Sequence, residues 1–129
     1  MIQDASTLIV LADGRRARVL AEARLGGPLS EHPEWLSGLA PGHAARDGGR
    51  EKAEADFLHD LAHRLEGVFA RGGFDQLILI APPKALGVLR TALDETLRRR
   101  LSLSEPHDRL AASAHDIAEA VRNLRRTHA

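Results

Sequence analysis

Gly48 and Gly49 close a stretch rich in glycine and proline, and Arg50, Glu51 and Lys52 begin the best amphipathic pattern in the chain. Without Cβ atoms, a Gly-Gly pair reaches backbone angles, and a closeness to a partner, that other residues forbid. The junction could therefore present bare main-chain amides, with the Arg50 guanidinium beside them, to a polar or anionic partner. The same pair would also serve simply to turn a loop into a helix.

His59 and His63 lie one helical turn apart, the spacing with which two imidazoles hold one metal ion. Asp60 follows the first histidine, where zinc proteases carry Glu. Both fall opposite the apolar stripe of their helix and no third ligand is fixed by the sequence, so no metal is assigned. Pro82, Pro83 and Lys84 stand where a strand gives way to a helix, the position at which open α/β sheets bind ligands. Lys84 could add a charge there, or the prolines could merely start the helix. Lys84, Arg90, Arg98, Arg99 and Arg100 outnumber Asp94 and Glu95 by three. That excess suits either contacts to a phosphate backbone or a solvated helix face. None of the serines lies in a nucleophile-elbow pattern, and no catalytic residue is nominated.

These candidates need elements to hold them. Thr7 to Ala12 is an unbroken apolar run suited to a strand covered on both faces, and Asp13-Gly14 is a hairpin signal. In Arg16 to Glu22, Ala17, Val19 and Ala21 share one face, with Arg16, Arg18 and Glu22 on the other; Leu20 interrupts the alternation. From Ala23 to about Arg50 the density of Gly and Pro predicts a long mobile loop. Residues 51 to 70 place Phe57, Leu58, Leu61, Leu65 and Val68 on one helical stripe, which Gly72 and Gly73 end. Gln76 to Ala81 is a second buried strand, and the helix after Pro82-Pro83 buries Leu86, Leu89, Leu93 and Leu97. Leu101 and Leu103 alternate with Ser102 and Ser104 as an edge strand. Ser113 with Asp116 starts a last helix with Ile117, Ala120, Val121 and Leu124 on its buried face. The order predicts an α/β fold: a single domain over 1–129 with a mixed sheet and helices packed on it.

Composition narrows the function classes. The chain has 129 residues, with 18 basic and 18 acidic side chains, so any grip on nucleic acid must come from a local patch rather than net charge. With no cysteine, disulfides and thiolate chemistry are excluded. No signal-like start and no membrane-spanning run is present, so a cytoplasmic protein with no membrane partner is expected. One Trp, three Phe and no Tyr leave little for stacking bases. No cofactor motif is present, and the oligomeric state is not legible.

Three stretches carry a resemblance: Leu8-Ile-Val-Leu-Ala-Asp-Gly-Arg-Arg-Ala-Arg-Val-Leu20, Arg50-Glu-Lys with Phe57 and Leu61, and Phe74-Asp-Gln-Leu-Ile-Leu-Ile-Ala-Pro-Pro-Lys84. Together they resemble the bacterial host attachment protein family, which is in turn similar to the middle domain of archaeal and eukaryotic class 1 peptide release factors. That resemblance implies a ribonuclease H-like fold and a Gly-Gly-Gln loop before a long helix. Gly48 and Gly49 match its glycines, and Arg50 stands where the family has Gln. Gln offers a donor and an acceptor, whereas Arg is a charged donor only, suited to phosphate rather than to orienting water. The implied function is a ribosome- or structured-RNA-binding module with Gly48, Gly49 and Arg50 at its tip, to which the charge excess adds Lys84, Arg90, Arg98 and Arg99 as backbone contacts. The alternatives are an interaction protein acting indirectly in host attachment, and an enzyme. The enzyme would be a peptidyl-tRNA hydrolase working through the glycine loop, or a metal hydrolase using His59 and His63.

Overall fold

The computed structural model describes residues 5–40 and 49–128. Strand β1 (Thr7–Ala12) is buried at every position, as its unbroken apolar run requires, and it lies at the centre of a five-stranded sheet. It pairs antiparallel with β2 (Ala17–Glu22) and parallel with β4 (Gln76–Ala81). A three-residue strand, β3 (Leu29–Glu31), extends the sheet beyond β2, and β5 (Leu101–Pro106) pairs parallel with β4 at the other edge, giving the order β3-β2-β1-β4-β5.

Strand side chains alternate between two covered faces. Leu8, Val10, Leu77 and Leu79 pack under α1 (Gly49–Gly72) and α2 (Pro83–Ala92), on Leu61, Leu65 and Leu89. Ile9, Leu11, Ile78 and Ile80 pack on the other side, under Ile117, Val121 and Leu124 of α4 (Ala114–Thr127). Two helices, a sheet and one helix thus make three layers of a single α/β domain with a mixed sheet, as the element order predicted. Ser113 caps α4 by accepting from the Asp116 amide at 3.1 Å, again as expected.

Two expectations change. The stretch from Ala23, read as unstructured, carries β3 and a 3-10 turn at Pro33–Leu36. Its Trp35, Leu36 and Leu39 pack on the core, with Trp35 stacked on His32 at 3.9 Å and edge-on to Phe74. Gly and Pro content reports backbone freedom, but three large apolar side chains gain more by burial than the chain gains by remaining free. Arg64 of α1 fastens this strap by donating to the carbonyls of Trp35 and Ser37 at 3.0 and 2.9 Å. Arg64→Ala is expected to cost about 1 kcal/mol of stability and to shift the emission of Trp35, the only tryptophan, to longer wavelength with helix content retained. Unaltered emission would show that the strap holds without Arg64.

The second change concerns the helix after Pro83. It stops at Ala92, because the Asp94 carboxylate accepts from the Leu97 amide at 2.9 Å and caps a separate short helix, α3 (Glu95–Arg100). Leu86, Leu89, Leu93 and Leu97 are all buried even so.

The face of β2 that carries Arg18 and Glu22 is covered as well. Arg18 forks onto both oxygens of Glu31 at 2.8 Å and donates to the carbonyls of Leu110 and Ala112, which holds the Glu31 carboxyl below its ordinary range. Glu22 is 2% exposed and is held by Arg125 of α4 at 2.9 and 2.6 Å. Leu20 is therefore no irregularity, since it fills the α4 side between two neutralised charges.

Candidate functional site

The carboxyl ends of β1 and β4 lie side by side at the centre of the sheet. From β1 the chain turns away to β2, and from β4 it crosses to β5 on the other side. Strand order reverses at this point, and reversal leaves a crevice that no crossover fills. A cleft of about 340 Å³ opens there, walled by the β1–β2 turn, the first turns of α1 and the start of α2.

Each wall has a local cause. The Asp13 carboxylate accepts from the amides of Arg15 and Arg16 at 2.7 and 2.9 Å, so the side chain itself closes the turn. Gly14 is required for contact: a Cβ there would come within 2.6 Å of Glu54 Cγ, so only glycine lets the turn lie against α1. Pro82 and Pro83 open α2, as the sequence predicted, and its N-terminus has no side-chain cap. Leu58, Ala55, Ala85 and Val88 form an apolar floor, and Asp13, Arg15, Glu51, Glu54 and Lys84 line the cleft as its charged groups.

The residues expected to act together divide into two groups. Gly49 is the first residue of α1, at φ +73 with open space where a Cβ would project, and Arg50 is exposed beside it. Lys84 reaches the first turn of the same helix, its ammonium 3.0 Å from Glu51. Gly48 lies outside the described residues. Arg90 lies six residues further along α2, about 9 Å of helix rise from Lys84. With Arg98, Gly87, Thr91 and Leu101 it lines a separate shallow groove of about 600 Å³. Arg98 donates to the Thr91 carbonyl at 2.8 Å, and Arg99 is paired with Glu95 at 2.9 Å.

His59 and His63 stay on the exposed face of α1 as expected. His59 Nδ1 lies 2.8 Å from the Ala55 carbonyl oxygen, and His63 lies 3.8 Å from Glu66. Among the described residues no three His, Cys, Asp or Glu side chains gather as metal ligands. Sequence reading overlooked Asp13, Arg15, Glu51 and Glu54 as site residues. The available signal was position, since Asp13 ends a central strand and Glu51 and Glu54 open the helix that must pack beside it.

A model of the family described as bacterial archaeo-eukaryotic release factor family 12 matches residues 25–121. The chain belongs to that family. This member of release factor family 12 also shares its fold with an archaeal translation termination factor, aRF1, with a TM-score of 0.58 at 14% sequence identity. The likeness covers 95% of the chain but 40% of the termination factor, so the family 12 chain spans well under half of that protein. No curated protein matches it. No helix among the described residues is long and apolar enough to cross a membrane.

Proposed function

We propose that this chain is a cytoplasmic, single-domain module of the release-factor middle-domain type that binds the ribosome or another structured RNA through Gly48, Gly49 and Arg50. The observation that carries the reading is Gly49, which stands open to solvent in the left-handed region directly before exposed Arg50, one residue short of Glu51 in the cleft wall. A backbone of that kind approaches a partner without side-chain interference. A permanently charged donor at the next position suits a phosphate group. Lys84 adds a second cation at the first turn of α1; its exposed pairing with Glu51 is worth little and exchanges readily for a phosphate. Arg90, Arg98 and Arg99 supply a further set of backbone contacts along α2 and α3.

Arg50→Ala is expected to weaken co-sedimentation with ribosomes and to reduce the slope of log affinity against log salt by about one, the loss of one phosphate contact. Identical binding by wild type and variant across a salt series would overturn the proposal. Peptidyl-tRNA hydrolysis is the second reading, drawn from the release-factor family itself. Peptide release from a model peptidyl-tRNA, lost in Gly49→Ala, would establish it over binding alone. The host attachment role suggested by the sequence resemblance would be an indirect one, tested by locating the native protein on or off the cell surface.

A further inference from the structure

We infer that the cleft between the β1–β2 turn and the starts of α1 and α2 takes one unpaired guanine nucleotide. This rests on the RNA-binding reading above and names what the crevice beside Gly49 and Arg50 would hold. At about 340 Å³ the cleft is near the lower bound of small-molecule sites, so it admits one nucleoside-sized group rather than a helix.

Its lining asks for three properties in one ligand. The floor of Leu58, Ala55, Ala85 and Val88 is apolar and suits the face of a planar ring. Glu54 lines the cleft and makes no side-chain hydrogen bond or ion pair with any described residue, although it is only partly exposed. A carboxylate has two acceptor oxygens and no donor, so it selects a ligand edge with two adjacent donors. Guanine offers such an edge in N1–H and its exocyclic amine; uracil sets a carbonyl oxygen on each side of its single N–H. Arg15 has no side-chain partner among the described residues, and Lys84 is bound only to exposed Glu51, so both can receive the anionic phosphate. Asp13 is less suited to reading a base, because one of its oxygens already accepts two amides of the turn. A zwitterion without a ring would leave the floor bare, and an anion alone would leave Glu54 facing like charge.

The test is a titration of the isotopically labelled chain with GMP, UMP and inorganic phosphate, followed by amide chemical shifts at Gly14, Glu54 and Val88. GMP is expected to shift these signals saturably and to bind about tenfold more tightly than UMP, the scale of one charge-assisted hydrogen bond. Glu54→Gln replaces two acceptors with one acceptor and one donor, and is expected to bring the preference to about twofold or less while leaving the spectrum of the free protein folded. Equal binding of UMP, no saturable shift with GMP, or the same shifts from phosphate alone would each overturn the inference. The outcome is separable from that of the RNA-binding proposal. Wild-type ribosome binding without any guanine preference sinks this inference only, and guanine binding by a chain that associates with neither ribosomes nor structured RNA sinks the other.

Discussion

Replacing Arg125 with alanine is expected to lower the stability of the domain by about 3 kcal/mol, the low end of the range for removing one partner of a buried ion pair. Arg125 grips both oxygens of Glu22 and also reaches Thr7, tying α4 to the central strand and its neighbour. The pair is asymmetric in burial: the Glu22 side chain is 3% exposed and the Arg125 side chain 23%. Removing Arg125 leaves a nearly buried carboxylate with, among the described residues, only the Gly26 amide as partner, at 3.2 Å. Removing Glu22 leaves a guanidinium that can swing into solvent, so Glu22→Ala is expected to cost less, about 2 kcal/mol. Chemical denaturation of both single variants and the double variant checks this. Equal single losses, or a double variant as unstable as the sum of both, would refute the asymmetry and the coupling.

Leu61→Ala is expected to cost about 3 to 4 kcal/mol, because its side chain is fully buried between α1 and the sheet and tight packing limits how far the cavity can collapse. Alanine is the better helix former, so the loss reports packing alone. The neighbouring exposed position supplies the contrast: Asp60→Ala should change stability by no more than about 0.5 kcal/mol. A small effect at Leu61 would mean that α1 does not form the lid of the larger core.

The buried stripes of this protein are legible because periodicity is a local property. Leu61 recurs with Phe57, Leu65 and Val68 at helical spacing, and Ile78 sits in an unbroken run, so both elements follow from residue order. The Asp94 cap was equally local but went unread, because the leucine spacing runs through it from Leu86 to Leu97. The neighbourhood of the cleft was only partly legible. Lys84 stands out in the sequence as a cation at a strand-to-helix turn, yet nothing linear shows that it meets Glu51, 33 positions away, while Arg90, six residues further on, lies toward the far end of α2.

The amino-acid order alone decides strands β1, β2, β4 and β5, the long helix α1, where α4 is capped, and that the fold is α/β, because hydrophobic period and capping chemistry act within a few residues. Pairings across the sheet decide the rest. Glu22 reads only as a charge on one face of β2 until α4 brings Arg125 to it across 103 positions. Asp13 and Gly14 read as a simple turn until Glu54 packs against them. The burial of a charge and the shape of a cleft depend on atoms distant in the chain, and only the closed fold sets them side by side.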